Sequence, residues 1–137
     1  MKTLLDIYDE VDANDIIVYE HKIGDRKSAI VKTDDWTAIT VNRGMIQTER
    51  DEKSSLMHEM GHYHTNAYYK FESKLELKCR KEYRAQRWAV MHYLPLEELL
   101  DAIRKGNTET YELAEYFDVT EEFVVAALDI YHRQGKI

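Results

Sequence analysis

The chain is built around His58-Glu59-Met60-Gly61-His62, in which two histidines stand four positions apart and a glutamate follows the first. This H-E-x-x-H pattern is typical of zinc hydrolases. On a helix that turns about 100° per residue, the two histidines lie about 40° apart, so both imidazoles can bind one ion. Glu59 lies about 100° from His58, where it is better placed to hold a water than to bind the metal. The less specific interpretation is two surface histidines on an ordinary helix.

The rest of this predicted helix is suited to packing against other elements. Leu56, Met60 and Tyr63 form an apolar stripe opposite the histidines. Gly61 costs about 1 kcal/mol relative to alanine inside a helix. It lies on the histidine side, where a missing side chain allows another element to come close.

Glu82 is the best candidate for a third metal ligand, since a catalytic zinc takes three protein ligands and keeps one open position. A helix over residues 75–93 carries four further residues on the Glu82 face, namely Leu75, Ala85, Ala89 and Tyr93. The two alanines allow this helix to pack tightly against the histidine helix. The far face is predicted to be solvated and carries Arg80, Arg84 and Arg87.

Other histidine, cysteine and tyrosine side chains are weaker candidates for a role in the site. His64 lies about 200° from His62 on the helix and cannot join the same ion. Cys79 is predicted to be a buried structural residue rather than a ligand, and His92 is predicted to be structural. Three tyrosines can donate to an oxyanion, and spacing does not choose among Tyr63, Tyr83 and Tyr93.

The motif also has a family resemblance. H-E-M-G-H, followed by E-Y-R-A-Q-R-W-A at residues 82–89 and Leu-Pro at residues 94–95, resembles the ImmA/IrrE metallopeptidases, most of all those of phages and mobile elements. The resemblance covers residues 39–95 well and the flanks loosely. Many members have a second glutamate two positions after the ligand, where this chain has Arg84, so one candidate glutamate remains.

The resemblance implies a gluzincin-like zinc endopeptidase. His58, His62 and Glu82 then bind Zn²⁺, and Glu59 is the catalytic base. Family members from phages and mobile elements act on a helix-turn-helix repressor, so the implied partner is such a repressor, cleaved or inactivated to relieve repression. Two other classes stay open: a non-proteolytic antirepressor that acts by protein contact, and a transcription factor.

Length and composition limit the class of protein. The 137 residues predict one domain, with a catalytic core over residues 1–95 and a helical extension over residues 96–137. One cysteine excludes an internal disulfide and fits a reducing compartment. The start of the chain has no signal-peptide core, and no run approaches the roughly 18 apolar residues of a membrane span. We therefore expect a cytoplasmic protein without membrane contact.

Charge is unevenly distributed along the chain. The net charge of −7 argues against a general nucleic-acid binder. Residues 70–95 nevertheless carry seven basic and three acidic residues, a net charge of +4. This basic segment is interpreted either as a solvated helix face or as a docking surface for an acidic partner.

The remaining segments predict an α+β fold. A short helix over residues 3–11 precedes three strands, at residues 15–20, 28–32 and 36–42, interpreted as a small antiparallel meander. An edge strand of this sheet can pair with an extended substrate, or the sheet only covers the helices. The connection at residues 65–73 carries aromatic residues that either roof the site or fill a minor core, namely Tyr68, Tyr69 and Phe71.

A helical pair at the C-terminal end resembles a helix-turn-helix in its apolar spacing over residues 113–128. A DNA-reading helix presents basic and amide side chains. The second helix here begins with Glu121 and Glu122 and carries Arg133 only at its end. The pair is therefore predicted to serve packing or protein contact, and direct DNA binding is not expected.

Overall fold

The computed structural model describes residues 1–68 and 75–137, except for the side chains of residues 75–77. This part of the chain forms three strands and six helices, which confirms the α+β class. The strands are β1 (Ile16–Glu20), β2 (Ser28–Lys32) and β3 (Thr37–Val41). The helices are α1 (Leu4–Ala13), α2 (Glu49–Thr65), α3 (Leu75–Tyr93), α4 (Leu96–Arg104), α5 (Thr110–Phe117) and α6 (Glu121–Arg133). None of the described helices has the length and apolar character needed to cross a bilayer.

The sheet differs from the predicted meander. Its strand order is β1-β3-β2, with β3 antiparallel to β2 but parallel to β1. The β2–β3 connection is a tight turn, in which the amide of Thr33 donates to the carbonyl of Trp36. The connection from β1 to β2 is longer and crosses the end of β3. The antiparallel meander is therefore wrong for β1, because a connection of this length can span the width of an intervening strand.

Helices α2 and α3 pack against each other along their small residues. Ala85 and Ala89 of α3 are fully buried. A Cβ added at Gly61 would lie 2.1 Å from the carbonyl oxygen of Ala85, so the two backbones are in direct contact. On its other side α2 contributes Leu56 and Met60, both 0% exposed, to the main core. The predicted close approach of the two ligand helices is confirmed.

Helix α2 also begins and ends at defined residues. The side chain of Thr48 accepts from the amide of Asp51, so Thr48 is the N-cap. At the other end Asn66 adopts a left-handed conformation with φ 54°, which reverses the chain. The amide of Ala67 then donates to the carbonyl of His62 at 3.0 Å. This reversal brings residue 67 back toward the histidines.

The C-terminal helices are tied to α2 by buried polar contacts. Lys53 is 2% exposed and donates to the carbonyl of Phe117 at 2.8 Å, at the C-terminal end of α5. Burial lowers the pKa of the Lys53 ammonium, while its position at a helix C-terminus favours the charge. The amide of Thr120 donates to the hydroxyl of Ser54 at 3.1 Å. The beginning of α6 therefore lies beside α2.

Candidate metal centre

Three predicted ligands converge between α2 and α3. The Nε2 atom of His58 lies 2.7 Å from Oε2 of Glu82, and Nε2 of His62 lies 3.0 Å from Oε1 of the same carboxylate. One donor atom from each of the three residues can be chosen so that all lie within 4.8 Å of one another. Zinc binds imidazole nitrogen and carboxylate oxygen at about 2.0–2.2 Å. Two imidazoles and one carboxylate are a donor set that fits this ion.

The second nitrogen of each histidine has its own acceptor. Nδ1 of His58 donates to Oε1 of Gln86 at 2.6 Å, and Nδ1 of His62 donates to the carbonyl of Ala67 at 2.6 Å. These acceptors hold the proton on Nδ1 and leave the Nε2 lone pair for a metal. The reversal at Asn66 supplies one acceptor, and the turn of α3 after Glu82 supplies the other.

Charges in the trio reinforce one another. Burial lowers the pKa of His58, but the hydrogen bond to Glu82 and the negative charges of Glu59 and Glu82 together outweigh burial and raise that pKa to about 9. Burial raises the pKa of Glu82, while the hydrogen bonds from His58 and His62 hold it well below its usual value. These hydrogen bonds keep the Glu82 carboxylate ionised, which is the form that binds a metal.

Glu59 occupies a different position from the trio. Its side chain is 1% exposed, and its Oε2 atom has no hydrogen-bond partner among the described residues. Burial raises the pKa of this carboxyl above its ordinary value. A buried polar atom without a partner is rare in folded proteins. This oxygen is therefore free to accept a proton from a molecule bound beside the trio.

An open cleft of about 630 Å³ reaches His58, Glu59 and Glu82. Its walls come from elements that are far apart along the chain. One wall contains the start of β2, another is formed by α2 and α3, and the third comes from the beginning of α6. Its remaining lining residues are Arg26, Lys27, Ser28, Asp51, Ser54, Ser55, Tyr83, Gln86, Thr120, Glu122 and Phe123.

The other candidates lie away from the trio. The ring of His64 stacks on Trp88 at 4.2 Å, and the ring of His92 also stacks on Trp88, at 4.4 Å. Tyr93 donates to Glu10 at 3.0 Å, so among the three tyrosines only Tyr83 lines the cleft.

The expectation that Cys79 is buried is wrong, since the residue is exposed. Cys79 lies about 120° around α3 from Ala85, whose face is the one packed on α2. Tyr69 and Phe71, two of the three aromatic residues predicted to roof the site or fill a minor core, lie outside the described residues. Tyr68 is partly buried.

Spacing along the chain did not predict several residues that lie in this site. Gln86 stands one helical turn after Glu82, and this i, i+4 spacing is a signal that can identify it. The contributions of the β1–β2 connection and of the start of α6 have no local signal, because they depend on contacts between distant parts of the chain. The carbonyl of Ala67 has no local sequence signal either, because every residue type has a backbone carbonyl.

An α+β fold with an H-E-x-x-H helix, a third ligand on the adjacent helix and a buried glutamate beside them defines a metallopeptidase-type protein. A family comparison agrees with this class: the Peptidase_M78 model, described as the IrrE N-terminal-like domain, matches residues 11–129. The chain belongs to this peptidase family, and the ImmA/IrrE resemblance is confirmed. No curated protein and no solved structure matches the chain significantly.

Replacing Gln86 by leucine should weaken zinc binding by about 10–100-fold, the usual effect of losing an outer-shell partner. Without the Gln86 acceptor, His58 no longer has a fixed ring orientation and tautomer. Competition with a chromophoric chelator measures the zinc dissociation constant. Gln47 is exposed on the chain before α2, so Gln47→Leu is the matched control. An unchanged constant in Gln86→Leu would mean that the 2.6 Å contact does not orient the ligand.

Proposed function

We propose that this chain is a zinc-dependent endopeptidase that cleaves or inactivates a helix-turn-helix repressor of a phage or mobile element. One observation carries the catalytic part of the proposal. The Nε2 atoms of His58 and His62 meet both oxygens of Glu82, and Glu59 lines the same open cleft. Among the described residues, the buried Oε2 of Glu59 has no hydrogen-bond partner. The repressor substrate is supported by the family resemblance of the motif.

The chain's own residues account for the proton transfers of peptide hydrolysis. Zinc, when bound, supplies a Lewis acid that polarises the peptide carbonyl and acidifies water. His58, His62 and Glu82 would hold the ion. Oε2 of Glu59 takes the proton from the attacking water and returns it to the leaving nitrogen. Burial raises the pKa of Glu59, which increases its affinity for the proton that it carries.

The position of strand β2 favours a substrate that binds in an extended conformation. Strand β2 is at an edge of the sheet, and its first residue, Ser28, lines the cleft. A peptide added along β2 would run beside Glu59 and the trio. Binding by strand addition suits a segment without regular structure, such as an interdomain linker of a repressor.

Direct DNA binding receives no support from the helical pair α5–α6. The first turn of α6 contains Glu121 and Glu122. Glu122 and Phe123 line the cleft, and Thr120 donates to Ser54 of α2. A helix whose beginning is packed in this way cannot insert that end into a major groove. A cytoplasmic location stays part of the proposal and is supported by the low cysteine content.

Metal content tests the catalytic centre. Elemental analysis of freshly purified wild type should find about one zinc ion per chain. Glu82→Ala should lose the ion or bind it far more weakly, because one of three ligands is removed. Glu49→Ala makes the same chemical change at an exposed position of α2 and should keep the metal. Wild type without zinc after reconstitution, or zinc retained fully in Glu82→Ala, contradicts the assigned centre.

The substrate is tested with the repressor encoded beside this protein. Zinc-loaded enzyme should cut it at a site that mass spectrometry can map, and an intact, DNA-bound repressor would count against the proposal. A reporter assay in cells separates cleavage from simple binding. If Glu59→Gln relieves repression as well as wild type does, the protein acts as a non-proteolytic antirepressor.

A further inference from the structure

The connection between β1 and β2 passes over the end of the central strand at the mouth of the cleft. Glu20, the last residue of β1, pairs with Val41 of β3, and so does Ser28, the first residue of β2. Residues 21–27 must therefore cross from one side of β3 to the other, directly beyond Val41. The position of this crossing is determined by the strand order.

Asn42 holds the crossing segment in place. Its side chain is buried, and Nδ2 donates to the carbonyls of Gly24 and Arg26 at 3.2 and 2.9 Å. Its backbone amide donates to the carbonyl of Lys27 at 2.9 Å. The amide of Arg26 donates to the carbonyl of Ile23, so both backbone polar groups of Arg26 are engaged. The backbone that carries the Arg26 side chain is thus rigidly positioned.

The Arg26 side chain lines the cleft together with Glu59 and the metal trio. The neighbouring Lys27 also lines the cleft, and its ammonium pairs with Asp51 at 3.1 Å. Arg26 therefore adds a cation to the wall that a bound peptide must pass.

We propose that Arg26 is a specificity-determining residue that binds the carboxylate of an Asp or Glu side chain next to the scissile bond of the substrate. A guanidinium presents several donors in one plane and matches a carboxylate in bidentate geometry. Most of the residues that line the cleft have polar or charged side chains, so a charged substrate side chain finds hydrogen-bonding partners when it enters. This inference rests on the proposed peptidase function and specifies the substrate class of the same site.

Binding of paired hydroxamates tests the inference without requiring cleavage. The probes are peptide hydroxamates in which only the residue next to the zinc-binding group differs, as Asp or Asn. One pair extends to the N-terminal side of that group and the other to the C-terminal side. Calorimetry on zinc-loaded wild type should show about tenfold tighter binding of the Asp probe in one pair, the size expected for a charge-assisted hydrogen bond.

The variants separate a local contact from net charge. Arg26→Gln should reduce the preference to about onefold, and Arg26→Glu should invert it. Lys22→Gln makes the same charge change in the same connection, outside the residues that line the cleft, and should keep the preference. Arg26 is exposed, so these variants should fold and bind zinc normally.

The outcomes distinguish this inference from the function on which it rests. Equal binding of both probes in both pairs, or a preference that survives in Arg26→Gln, overturns the role of Arg26 alone. A zinc-loaded wild type that binds no hydroxamate contradicts the peptidase site, and the assignment of Arg26 falls with it. A preference lost in both Arg26→Gln and Lys22→Gln shows a long-range charge effect and also overturns the contact.

Discussion

Replacement of Glu59 by glutamine is expected to lower the rate of peptide cleavage by about 10²–10⁴-fold, the range for a lost general base. The amide has nearly the same shape as the carboxyl but does not accept a proton at neutral pH. Zinc content should stay at the wild-type level, because the donor atoms of His58, His62 and Glu82 are left intact. Loss of cleavage with retained metal is the result that assigns Glu59 the proton-transfer role.

The stability of Glu59→Gln provides a second readout. The carboxyl is buried, and one of its oxygens has no partner in the part of the chain that the structure describes, so folding carries the cost of desolvating this group. A neutral amide reduces that cost, and the free energy of unfolding should be equal to or greater than that of wild type. Lower activity therefore cannot be attributed to unfolding.

Glu52→Gln is the matched control for Glu59→Gln on the same helix. Glu52 accepts hydrogen bonds from Tyr8 and Arg43, and the Arg43 contact holds its pKa below the usual value. The control should lose stability but keep cleavage per folded molecule. A Glu59→Gln protein that still cuts at the wild-type rate would rule out the assigned base.

Replacement of Gly61 by alanine is expected to lower the free energy of unfolding by about 2 kcal/mol or more, and to weaken zinc binding at the same time. The new Cβ would lie 2.1 Å from the carbonyl oxygen of Ala85 and 2.8 Å from its carbonyl carbon. Backbone atoms cannot rotate away, so α2 and α3 must separate. Overpacking of this kind typically costs about 1–3 kcal/mol and sometimes more.

Helix propensity acts in the opposite direction at this position. Alanine is favoured over glycine inside a helix by about 1 kcal/mol, so a site without the clash would gain stability. Gly44→Ala is the control, since its Cβ would meet only Asn42 Oδ1 at 3.4 Å, an ordinary contact distance. Urea unfolding and chelator competition measure the two effects. A Gly61→Ala protein with unchanged stability and full zinc affinity would show that the close contact of the helices is dispensable.

Local patterns were sufficient to predict the helices that carry the candidate metal centre. His58 and His62 are brought together by the turn of one helix, whatever surrounds it. Glu82 was predicted as the third ligand, on a helix that carries the small residues Ala85 and Ala89 on the same side. Gly61 and Ala85 then meet in the structure as their sizes suggested.

The errors arose where a prediction needed contacts between distant segments. Strand propensity predicted β1 and β3 but contains no information about their relative direction. Cys79 was expected to be buried because cysteine is among the most often buried residue types. Helix α3, however, buries only the side that faces its neighbours. The cleft wall near Thr120 was not predicted, because the contact of Thr120 with Ser54 joins segments 66 positions apart.

By itself, the sequence determined the α+β class and the helices α2 and α3, and it predicted His58, Glu59, His62 and Glu82 as candidate site residues. These features follow from helical periodicity and from side-chain chemistry, both of which act over a few residues. Only the tertiary structure decided the strand order, the path of residues 21–27 past the cleft and the docking of α6 beside α2. Such features depend on which distant surfaces bury each other, and this is a property of the whole packed chain.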